Sequence, residues 1–168
     1  LGGVFFFPCA HEDSISRILI LSFFAGFFEE LWYRGFLFGQ VYRFTRAGFI
    51  PAVLLSAVVF AYGHLYQGST LLESTEVFLV TFSGAVFFAW LFTEWNYNLW
   101  VPVFIHSFMN LTWVLFKVSD TAAGNVTANI FRGITIALAI IITIYYKKRK
   151  GEELVVRKPV LIWRKSEI

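Results

Sequence analysis

Six polar side chains stand in stretches that are otherwise apolar: Glu29, Glu30 and Arg34 in one segment, His64 in a second, and His106 with Asn110 in a third. An ionisable group in lipid costs at least about 2.5–3.5 kcal/mol, so each needs a partner or a task. On an α-helix Glu30 and Arg34 are four apart and stack on one face, whereas Glu29 is turned about 100° away. Arg34 is therefore expected to neutralise Glu30 and to leave Glu29 free as a general base acting on water. His106 and Asn110 share a face by the same spacing and aim their polar groups at one point between helices. The plainer alternative is an ion-pair and hydrogen-bond network that joins helices. It suits Glu30 with Arg34 better than Glu29, His64 and His106, because interhelical contacts usually rely on Ser, Thr and small residues. His11 falls outside the apolar segments, as a solvated interfacial residue. Phe60, four before His64, is by default packing or lipid-facing.

The elements that carry these residues are helices in a membrane. Of 168 residues, 58% are hydrophobic and 15% charged, against roughly 45–50% and 25% in soluble domains. The expected fold is all-α, a polytopic transmembrane bundle with about five spans in this chain. The first starts after a Ser14 N-cap and runs from residue 15 to about 42. It is longer than a bilayer at roughly 1.5 Å per residue, so it tilts, bends or protrudes. The second covers residues 49–65, with Pro51 tolerated in its first turn. The third covers 77–95, and the bend Asn96-Tyr97-Asn98 leads to the fourth, 99–118, with Pro102 in its first turn. The fifth covers 128–146. Trp90, Trp95, Tyr97 and Trp100 gather around the third-to-fourth bend, as interfacial aromatics do. On straight helices Glu29 and His106 fall about 10 Å from the inner side and His64 about 22 Å from it, a gap that a tilt of the first span could close.

Charge sets the orientation. The basic run Lys147, Lys148, Arg149 and Lys150, followed by Arg157, Lys158, Arg164 and Lys165, sits after the last span and reads as a cytoplasmic tail rather than a nucleic-acid site. Counting back puts Arg43 and Arg46 on the same side, with Glu73 and Glu76 opposite. The expected division is a transmembrane catalytic core over 1–146, with the motifs in 14–117, and a basic tail over 147–168. The one cysteine, Cys9, excludes an internal disulfide and Cys-based metal motifs. The chain opens on Leu1 and apolar residues through Phe7, and its sole methionine is Met109, so further spans are expected before it.

The stretch AGFFEELWYRGFLFG, with Glu29, Glu30 and Arg34 as Glu-Glu-x-x-x-Arg, resembles the first motif of the CPBP family of CAAX proteases and bacteriocin-processing enzymes. VVFAYGHL supplies Phe60 and His64 as its Phe-x-x-x-His motif, and NLWVPVFIHSFMN supplies His106 and Asn110 as its His-x-x-x-Asn motif. Each is weak alone; three in order, each on an apolar helix, are specific. The resemblance spans residues 14–117 and implies an intramembrane endopeptidase similar to the type II CAAX prenyl endopeptidases. It implies that Glu29 activates water with help from His64, that His106 and Asn110 stabilise the oxyanion, and that Glu30, Arg34 and Phe60 support the site. The family has also been described as metallopeptidases, and Glu29, His64 and His106 form a conceivable Zn²⁺ set, although no His-Glu-x-x-His helix is present.

The partners so implied are the lipid bilayer and a membrane-associated peptide or protein substrate, prenylated or not, with no nucleic acid. The alternative function is a catalytically idle scaffold or bacteriocin-immunity protein of the same fold. A proton-relaying transporter subunit is a third, disfavoured because neither an inverted repeat nor paired discontinuous segments are found.

Overall fold

The computed structural model describes residues 15–157 and 161–162. The expected Ser14 cap, Cys9, His11, Lys158, Arg164 and Lys165 lie outside the described residues. Five helices follow one another: α1 over residues 15–44, α2 Phe49–Tyr62, α3 Leu71–Glu94, α4 Trp100–Leu115 and α5 Val126–Lys150, with no strand among the described residues. The helix and turn Phe49–Gln67, α3 and α5 are each long and apolar enough to cross a membrane, and α4 is a shorter apolar helix. The fold is thus the all-α membrane bundle its composition predicts.

Long α1 changes its winding twice. Ile20–Phe24 and Leu31–Phe38 are wound as π-helix, the second beginning directly after Glu30. Such wider turns inside α-helices are frequent at functional sites. Along α1 every fourth residue from Ser22 through Gly26, Glu30, Arg34 and Phe38 is buried. This stripe faces α4 in its middle and α2 along the second π stretch.

The other helix limits follow from local capping. α3 begins before the expected residue 77, because the Thr70 hydroxyl accepts from the Glu73 backbone N–H at 3.2 Å and the Glu73 carboxylate accepts from the Ser69 backbone N–H at 2.8 Å. These bonds satisfy N–H groups that a helix start leaves open. α5 starts at Val126, with the Asn125 side chain accepting from the Ala128 N–H at 2.9 Å. It ends at Gly151, in the left-handed region at φ 69°. Lys147–Lys150 therefore form its last turn instead of opening a tail.

The helices alternate between two ends. At one, the Gly48 and Ile50 N–H groups donate to the Ile162 and Leu161 carbonyls, each at 2.8 Å. The Arg43 guanidinium covers the Tyr97 ring there at 4.7 Å. Phe38, Tyr42, Phe49, Ala52, Val53, Ala89 and Phe92 form the core toward this end. At the other end the Ala122 N–H donates to the Gln67 side-chain carbonyl at 2.7 Å, tying the α2–α3 turn to the α4–α5 loop.

Candidate active site

Glu30 lies on the buried stripe of α1 with Arg34 one turn on, its Oε1 3.1 Å from Arg34 Nη1. The expected pair forms, and both partners are fully buried. Oε1 also receives a hydrogen bond from His106 Nδ1 at 2.7 Å, across 76 positions of sequence. A carboxylate only accepts, so the ring proton sits on Nδ1. His106 Nε2 then faces Glu29 Oε2 at 3.6 Å, an electrostatic contact too long for a hydrogen bond. In the neutral ring Nε2 carries a lone pair. Only the imidazolium presents a second N–H, so His106 donates to an oxyanion only when doubly protonated.

Aromatic rings hold this cluster. The Arg34 guanidinium lies over Phe60 at 4.7 Å and Phe88 at 5.3 Å, and Phe88 stacks on His106 at 4.9 Å. Phe60, expected as packing or lipid-facing, is buried and contacts both Arg34 and His64; its centroid is 4.4 Å from that of His64. Phe88 was not singled out in the sequence. Gly26 explains the close approach of α1 and α4: a Cβ there would sit 2.7 Å from Ser107 Oγ. The cluster is also incompletely paired. Glu30 Oε2, Arg34 Nη2 and Ser107 Oγ are buried without a hydrogen-bond partner among the described residues, and Arg34 Nη1 has only its 3.1 Å ion pair with Glu30.

Glu29 occupies a different environment. Its side chain is 31% exposed and borders an open, shallow depression of about 380 Å³ whose walls, Phe28, Trp32, Tyr33, Phe36 and Leu37, all belong to α1. Arg34 is matched to Glu30, so Glu29 stands between the buried charges and an apolar opening. Asn110 is half-buried one turn beyond His106 on α4.

His64 sits in the turn after α2, with Nδ1 2.8 Å from the Phe60 carbonyl oxygen. A carbonyl only accepts, so Nδ1 is the donor, and in the neutral ring Nε2 carries a lone pair. The similar heights expected for Glu29 and His106 agree with their contact, whereas His64 makes no ion pair or hydrogen bond with either of them and instead contacts Phe60. Among the described residues no three His, Cys, Asp or Glu side chains converge as a metal requires. Glu29, His64 and His106, the conceivable Zn²⁺ set, are therefore not gathered as one, although the hold of Glu30 on His106 Nδ1 leaves Nε2 without a hydrogen bond.

A family model described as type II CAAX prenyl endopeptidase Rce1-like matches residues 11–112, well over half of the chain. No curated protein and no solved structure matches it.

Proposed function

Because the chain belongs to the Rce1-like family of type II CAAX prenyl endopeptidases, we propose that it hydrolyses a peptide bond of a membrane-associated substrate with Glu29 as the base that activates water. The observation that supports this role is the difference between the two adjacent carboxylates. Glu30 is enclosed and engaged by Arg34 and His106, while Glu29 borders the apolar cleft. Glu29 takes a proton from water, whose oxygen attacks the scissile carbonyl carbon. The resulting oxyanion accepts hydrogen bonds from Asn110 Nδ2 and from the Nε2–H of protonated His106. Glu29 then passes its proton to the departing amine, and the C–N bond breaks.

The mechanism is metal-free, in keeping with the lack of three convergent ligating side chains among the described residues. The substrate class is the C-terminal peptide of a membrane-bound protein, with prenylated CAAX peptides the first candidates from the family description. An aromatic cleft accepts a lipid chain or an apolar peptide side chain. Arg43, Arg46 and Lys147–Lys150 gather at one end of the bundle, and that end faces the cytoplasm. The test is a library of prenylated and unprenylated membrane peptides presented to detergent-purified protein, with Glu29→Ala as the control. Cleavage that disappears in the control is expected. Failure of the unmodified protein to cleave any peptide favours the idle scaffold.

A further inference from the structure

Resting on the proposed roles of Glu29 and His106, we infer that Phe88 of α3 is a positioning residue for the reaction: its ring fixes the plane of the His106 imidazole and so aims Nε2 at the oxyanion. α3 carries none of the three motifs, yet Phe88 reaches two of their side chains. Its ring stacks on His106, with centroids 4.9 Å apart and planes 17° from parallel, an arrangement that aromatic pairs favour. It also lies beneath the Arg34 guanidinium at 5.3 Å. Arg34 pairs with Glu30 and Glu30 accepts from His106, so these residues of α1, α3 and α4 close a circuit of contacts. Phe88 is buried in a core cluster with Phe87 and Leu91, against which Ile105 and Met109 of α4 pack.

Aiming a ring nitrogen takes two constraints. The hydrogen bond from Nδ1 to Glu30 Oε1 at 2.7 Å anchors one point of the imidazole. It leaves the ring free to tip about that bond, and tipping swings the direction in which Nε2 points. Glu29 does not prevent this, because its 3.6 Å contact with Nε2 is too long for a hydrogen bond. The flat face of Phe88 supplies the second constraint. An aliphatic side chain could fill the same space, but it offers no plane for the imidazole to lie against. Glu30 thus sets where His106 sits, and Phe88 sets which way Nε2 looks. Oxyanion donors work by being aimed in advance at the place where charge develops, so this direction bears on turnover more than on substrate binding.

The test compares the same substitution one turn apart on α3. Phe88→Leu and Phe92→Leu each lose a buried ring, but Phe92 meets Phe38 and Tyr97 in the core toward the basic end. The full chain in detergent is given the library peptide it cleaves fastest, at a temperature where every variant is folded. kcat, KM and the melting midpoint are measured for both Leu variants, for Phe88→Tyr and for Glu29→Gln. Both Leu variants should melt earlier. Only Phe88→Leu should lose turnover, by about 10- to 10²-fold in kcat with KM little changed, as expected for a misaimed donor. Arg34 keeps its ion pair and the Phe60 ring in that variant, so the loss falls on His106. Phe88→Tyr keeps the flat face and should turn over within about threefold of the unmodified protein. Equal turnover in the two Leu variants, beside an inactive Glu29→Gln, overturns the positioning role and leaves Glu29 as base. A Phe88→Tyr as slow as Phe88→Leu overturns it too. Should Phe88→Leu not fold, Phe88→Met replaces it; if neither folds where Phe92→Leu does, Phe88 serves the bundle and the role is overturned. If Glu29→Gln cleaves normally, or if the unmodified chain cleaves nothing, the catalytic reading falls and the positioning role falls with it.

Discussion

Two buried Lys or Arg ion pairs among the described residues differ in how completely they are paired. At the basic end Glu94 Oε2 lies 2.8 Å from Lys147 Nζ. Its two oxygens also accept from the backbone N–H groups of Val155 and Val156, at 2.9 and 2.8 Å. Lys147 donates further to the Glu153 carbonyl at 3.3 Å. Beside it the Trp95 indole N–H donates to Thr143, and its ring stacks on Tyr146. That arrangement fastens α5 and the following segment to α3. At Glu30 and Arg34, by contrast, one carboxylate oxygen and one terminal guanidinium nitrogen lack partners among the described residues, the other guanidinium nitrogen has only the ion pair, and a histidine shares the carboxylate. Burial of charge is common to both regions. Incomplete pairing is what distinguishes the Glu30–Arg34 region, where the proposed site lies, from the Glu94–Lys147 clamp.

The largest effect that sharpens this contrast comes from removing one cation at each place. Breaking one partner of a well-buried pair costs about 3–5 kcal/mol. Lys147→Met should lower the melting midpoint in detergent while the molecules still folded turn over normally. Arg34→Ala should lower the midpoint and also abolish turnover. An unchanged midpoint for Lys147→Met would show that the clamp carries little stability, and normal turnover in Arg34→Ala would remove the distinction between the two pairs. Next in size, Asn110→Ala should lose about 10²–10³ in turnover with the midpoint unmoved, as expected for one oxyanion donor. A loss that tracks melting instead would make Asn110 a packing residue. The smallest expected effect is none at all: a strong chelator should leave cleavage unchanged. Stoichiometric zinc, with chelator-sensitive cleavage that zinc restores, would contradict the metal-free mechanism.

Much of the site was legible because it depends on spacing within one helix. The separation of four between Glu30 and Arg34, and the displacement of Glu29 from them, follow from helical geometry, and both survive the π winding of α1. The hydrogen bond from His106 to Glu30 was not legible, since spacing along one helix says nothing of which turn of another it meets. Nor was the engagement of His64 by the Phe60 carbonyl and ring, which depends on where α2 ends. The start of α3 was available in Thr70-Leu-Leu-Glu73, a capping signature that reads as a loop when only hydropathy is followed. Glu94 and Lys147 went unrecognised for a related reason. Charges at helix ends look solvated until a distant segment, here residues 153–156, is seen to cover them.

The central claim is that Glu29 is the base and Glu30 its support. It is tested most directly by the turnover of Glu29→Gln on a peptide the unmodified protein cleaves, measured alongside the melting midpoint. The amide keeps the shape of the side chain and loses its basicity, so turnover should fall by about 10²–10⁴ while the midpoint stays in place. Retention of a tenth or more of the original turnover would contradict the account.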